Sequence, residues 1–88
     1  MEKFKVVVDR KAIKFLEKLS KTNFEVAQAL YLKIASLSDS PYDGKPLKGN
    51  YSGFLRIRVW DYRVIYKVIE NRKEVFVAEV GHRREIYR

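Results

Sequence analysis

Two hydrophobic periods divide the chain. KFKVVV over residues 3–8 reads as a short strand, and Asp9 is placed to cap a helix directly after it. Ala12, Phe15, Leu16 and Leu19 then recur at i, i+3, i+4 and i+7, which predicts a helix that buries one stripe and leaves its lysines in water. Thr22 with Glu25 three residues later has the form of a capping box, and Val26, Leu30, Ile34 and Leu37 make the stripe of a second helix. The two helices should form a hairpin. Ser38 to Gly53 holds both prolines and three of the four glycines, the composition of a surface loop.

From Phe54 onward the period is two. In FLRIRVW, Leu55, Ile57 and Val59 point one way and Phe54, Arg56, Arg58 and Trp60 the other. YRVIYKVI repeats the alternation, with Arg63 and Lys67 opposed to Val64, Tyr66 and Val68. Asp61 leaves room only for a tight reversal between these runs, and a second turn over residues 70–73 leads into EVFVAEV. The expected fold is α+β in the order β-α-α-β-β-β, with the helical hairpin packed on one face of a mainly antiparallel sheet and the first strand added at an edge or in the centre. Arg56, Arg58 and Arg63 then share the open face.

A length of 88 residues predicts one domain over 1–88 with a single core. The chain has no cysteine, which excludes disulfides and thiolate chemistry. The N-terminal MEKFKVVVDRK is charged from its second residue and has no long apolar run, so no signal peptide or membrane span is expected and a cytoplasmic protein is. A formal charge of +8 favours an anionic partner, nucleic acid or acidic protein. Most lysines precede residue 50, whereas seven of the eight arginines lie between Arg56 and Arg88. Arginine pairs bidentately with phosphate and stacks on bases, so the C-terminal part is the place to look for function.

The candidates there are Arg56, Arg58, Arg63, Arg83, Tyr87 and His82, with Arg84, Arg88, Lys48 and Trp60 as further RNA contacts. Each has a plainer reading beside the functional one. Alternating arginines often mark a solvated sheet face, a lone tryptophan often closes a core, and a lone histidine is more often structural than catalytic. Three like charges on neighbouring strands weaken the first of these, because their repulsion favours recruiting an anion. The sole histidine excludes a two-histidine acid–base pair, and no carboxylate cluster has metal-ligand spacing, so no metal or cofactor is expected. Attack of an RNA 2′-OH on its own adjacent phosphate needs mainly positioning and cations.

The element order, the stretch KPLKGNYSGFLRIRVWDYRVIYKV and the ending VAEVGHRREIYR together resemble the RelE toxins of the RelE/ParE toxin–antitoxin superfamily over nearly the whole chain. The resemblance implies a ribosome-dependent endoribonuclease that enters the A site and cleaves mRNA, restrained by a RelB-like antitoxin that wraps around it. It implies that Arg63 and Arg83 stabilise the transition-state phosphate and that Tyr87 stacks on a base. Arg56 and Arg58 fall where relatives often carry lysines. Arginine is a poor general base, so that role passes to His82, to Tyr87 or to positioning alone. A ParE-like inhibitor of DNA gyrase and a catalytically degenerate antitoxin binder share the same implied fold and remain alternatives.

Overall fold

The computed structural model describes residues 3–86. Strand β1 (Lys5–Val8) leads through Asp9 into helix α1 (Arg10–Thr22). The Asp9 carboxylate accepts a hydrogen bond from the Lys11 amide at 3.0 Å, as a helix cap should. Helix α2 (Phe24–Ser36) begins after a single residue. Its cap is Asn23, whose side chain accepts from the Val26 amide, and not Thr22. Thr22 instead ends α1, its hydroxyl donating back to the Leu19 carbonyl. One residue thus serves as the end of one helix and the cap of the next, which makes the hairpin tight.

The expected surface loop contains a two-residue strand, β2 (Lys45–Pro46), pairing antiparallel with β3 (Leu55–Val59). The element order is therefore β-α-α-β-β-β-β, completed by β4 (Tyr62–Ile69), β5 (Glu74–His82) and a one-turn helix, α3 (Arg83–Ile86). Pro46 cannot donate to a ladder, so an edge is where it can sit. The sheet order is β1-β5-β4-β3-β2; β1 lies at an edge, parallel to β5, and the other pairs are antiparallel.

The core lies between the helix hairpin and one face of this sheet. Ala12, Leu16, Val26, Leu30, Ile34 and Leu37 meet Ile57, Val64, Tyr66, Val75, Val77 and Val80, all buried, and the two stripes are those the helical period marks. The Tyr66 ring is fully buried, and its hydroxyl accepts the Gly44 amide at 2.9 Å. Burial raises the Tyr66 pKa, so the hydroxyl keeps its proton. A Cβ on Gly44 would stand 2.8 Å from both the Arg56 carbonyl oxygen and that hydroxyl, so only glycine lets the loop lie this close to the sheet. No helix among the described residues is long and apolar enough to cross a membrane.

Candidate nucleic-acid interface

Strand alternation decides which side chains leave the core, and β5 breaks its own alternation. Along β4, Ile65 pairs with Glu79 and Tyr66 with Val77, so Ala78 is an extra residue on β5. This bulge changes the parity of the strand. Val75 and Val77 face the helices before it, and Val80 and His82 do so after it. Glu79 and Gly81 consequently stand on the arginine-bearing face, opposite Ile65 and Arg63.

The rungs of that outer face are set by the register. Arg58 is directly opposite Arg63, and Arg63 opposite Gly81, which leaves the space on the β5 side of that rung free of any side chain. One rung along, Lys45, Arg56, Ile65 and Glu79 lie in a row. Ile65 is fully buried although it points away from the helices. Arg56 Nε is buried without a hydrogen-bond partner among the described residues. Like charges directly opposite one another, as Arg58 and Arg63 are, destabilise a sheet unless a counter-charge is near.

Arg83 reaches the same end of the sheet by a different route. β3 and β4 are joined by Trp60 and Asp61 alone, with Trp60 in the left-handed region at φ 54°. A non-glycine residue there costs about 1 kcal/mol, and the turn is fastened on both sides. The Arg83 amide donates to the Asp61 carbonyl at 2.8 Å, and Arg58 Nε donates to the Trp60 carbonyl at 3.1 Å. The Arg83 guanidinium stands 3.9 Å from the Asp61 carboxylate, both exposed. Arg58, Arg63 and Arg83 therefore gather at the β3–β4 turn, with Arg56 one rung away.

The other candidates are distributed differently. Trp60 belongs to the turn rather than to the alternating face, and its ring is exposed. Arg84 is exposed beside Arg83, its amide donating to His82 Nδ1 at 3.2 Å. Lys48 is exposed in the loop that crosses β3 at Phe54, four strand residues or about 13 Å from Arg58. His82 lies on the helix side of the sheet, edge-on to Tyr62 with ring centroids 5.5 Å apart. It borders a cavity of about 440 Å³ with Phe15, Lys18, Leu19, Thr22 and Tyr62, separated by the sheet from Arg56, Arg58 and Arg63. Tyr87 and Arg88 lie outside the described residues.

The half-buried carboxylate at Glu79 is the residue that reading the sequence misses on this face. The signal was present: V-F-V-A-E-V spaces its valines by two and then by three, which is what one bulged residue produces.

Comparison with known proteins places these features in a family. Residues 6–87 match the model for the ParE toxin of type II toxin-antitoxin systems. The Methanocaldococcus jannaschii protein named RelE4 is 28% identical over 76 residues, covering 85% of this chain and 81% of that protein. The RelBE2 toxin–antitoxin complex of Mycobacterium tuberculosis superposes with a TM-score of 0.80 at 26% identity, covering 91% of this chain and 98% of the matched one. The intact RelBE toxin–antitoxin complex of E. coli gives 0.73 at 30%, covering 90% and 95%.

Proposed function

Since the chain belongs to the ParE toxin family, within the RelE/ParE superfamily of type II toxin–antitoxin toxins, we propose that it is a ribosome-dependent mRNA endoribonuclease acting in the cytoplasm. The observation that carries this reading is the Arg58–Arg63 pair, set directly opposite on adjacent strands and joined at the same turn by Arg83. Three cations held on rigid elements have the arrangement that a phosphate gaining charge in its transition state requires.

In this mechanism the 2′ oxygen of one nucleotide bonds to the phosphorus of its own 3′ phosphodiester. The bond from phosphorus to the 5′ oxygen of the next nucleotide breaks, leaving a 2′,3′-cyclic phosphate and a 5′-hydroxyl. The 2′ proton passes to solvent, and the leaving 5′ oxygen takes one from it. Arg63 and Arg83 hold the non-bridging oxygens, Arg58 and Arg56 supply further positive charge, and Tyr87 stacks on a base. Positioning and charge stabilisation supply the rate, because arginine holds its proton and the His82 ring lies on the helix side. Arg84 and the exposed Trp60 extend the RNA-binding surface around the turn, and Arg88 is a further RNA contact. A RelB-like antitoxin binds the toxin, a reading supported by the toxin–antitoxin complexes of similar chains, and restrains it by covering this face.

The test is a stalled translation reaction on a defined mRNA, with new 5′ ends mapped. Cuts at A-site codons are expected for the wild type, not on naked mRNA, and at least ~10²-fold fewer for Arg83→Ala. An uncut message with translation intact, alongside loss of supercoiling in a purified gyrase reaction, establishes the gyrase-inhibitor reading instead.

A further inference from the structure

Resting on the RNA reading of the sheet, we propose that its β2 edge carries a second phosphate-binding subsite, formed by Lys33, Lys45, Arg56 and Arg58, which holds an RNA phosphodiester neighbouring the one cleaved. A cavity of about 280 Å³ opens at this edge, lined by those four cations together with Asp43 and Ile57. The cations come from three separate elements. Lys33 belongs to α2, in the helix layer, and reaches the edge through an ion pair with Asp43 at 3.0 Å. Asp43 precedes Gly44, whose amide is held by the buried Tyr66 hydroxyl, so this rim of the cavity is fixed to the core.

The charges within the cavity do not balance. The carboxylate of Asp43 is committed to Lys33, while Lys45 stands directly opposite Arg56, a like-charged pair. Arg56 Nε is a buried donor without an acceptor among the described residues. A buried donor of this kind calls for an acceptor, and a charged oxygen is the strongest one for a guanidinium. A phosphodiester offers two non-bridging oxygens, enough to engage Arg56 and bridge to Lys45. RNA is favoured over a protein carboxylate because the cavity shares Arg58 with the rung that carries Arg63. The backbone of one strand can therefore pass from the cleavage end of the sheet to its edge without leaving positive surface.

The subsite is tested on the full chain with a single-stranded RNA whose every 2′ oxygen is methylated, so that it binds and is not cut. Binding is followed by fluorescence anisotropy across a salt series. Replacing Lys33 and Lys45 together by Ala is expected to lower the slope of log affinity against log salt by about 0.7, the value for one phosphate contact on a single strand. The control, Lys14→Ala with Lys21→Ala, removes the same charge from exposed positions on α1 and is expected to leave the slope in place. Lys45→Gln, at an exposed edge position, gives the same direction of change should the double variant lose thermal stability. An unchanged slope, or an equal fall in the control, overturns the subsite. Inorganic phosphate that shifts the Lys45 and Arg56 amide resonances and is not displaced by the methylated RNA overturns it in favour of a free-phosphate site. Because the probe needs no cleavage, an inactive wild type in the translation reaction refutes the nuclease reading without deciding the subsite.

Discussion

One sheet has two faces with opposite fates. On the helix side, Leu16, Leu30 and Leu37 close over Val64, Tyr66, Val75 and Val77 until these residues are almost wholly out of water. On the other side, the same strands present Arg58, Arg63 and Arg56 around Ile65, which is itself fully buried. The first face is completed by the chain itself. The second gathers cations on neighbouring strands, which is what the proposed reaction asks of it. The cost of holding cations together is borne by burial on the opposite face.

The β5 bulge sets which residues beyond Ala78 reach each face, so a further change of parity there should have the largest effect. Inserting one Ala between Glu79 and Val80 forces either Val80 and His82 to the outer face with Gly81 turned toward the helices, or a second bulge in the strand. Loss of cooperative thermal unfolding is expected; an insertion variant with a native circular dichroism spectrum and melting point shows that parity along β5 does not set the faces.

Single substitutions on the two faces should separate stability from activity. Leu30→Ala opens a cavity in a fully buried position and is expected to cost about 2–5 kcal/mol in urea denaturation. The exposed Arg58 changed to Ala gives up its bond to the Trp60 carbonyl and its repulsion from Arg63, and should cost no more than about 1 kcal/mol while reducing cleavage. A reversal of that order breaks the comparison.

Gly44 ties the loop on the outer edge to a tyrosine of the core. Ala there meets backbone and a buried hydroxyl at 2.8 Å, so Gly44→Ala should cost about 1–3 kcal/mol and weaken RNA binding by displacing Asp43 and Lys45. Equal stability and affinity in that variant show the loop to be independent of the sheet.

His82 sharpens the comparison, since a sequence reading sets it beside Arg83 as a base and the register sets it beside Tyr62. His82→Ala is expected to lose about 0.5–1.5 kcal/mol of ring packing and to retain cleavage within tenfold. Loss of cleavage at unchanged stability, with an altered pH profile, returns the histidine to the catalytic group.

The smallest effect should come from acid. Glu70 is held below its usual value of 4.5, chiefly by the Tyr42 hydroxyl that donates to it and then by Lys73. A carboxyl whose pKa is lowered by folding contributes stability that is present above its unfolded value and lost as pH falls through the folded one. Tyr42→Phe should therefore narrow the fall in melting temperature between neutral pH and acid below 4.5, and leave cleavage untouched; an unchanged acid profile counts against the bond.

Much of this molecule is dictated by local pattern. The helical stripes from Ala12 to Leu37 needed only the 3.6-residue period, and the placing of Arg56 with Arg58 on one face needed only the pleat. The ending VGHRREIYR and the stretch LRIRVWDYRVIY carried the resemblance to the family that the comparisons show. Those features depend on neighbours in sequence, whose geometry the backbone fixes. Tertiary structure alone decided the rest. That β1 lies at an edge beside β5, that Asn23 takes the cap from Thr22, and that Lys33, Asp43 and Lys45 meet are results of packing between residues distant along the chain. His82 was assigned its face by one unpaired residue, because parity along a strand is local only until a bulge resets it, and which residue bulges is settled by the partner strand.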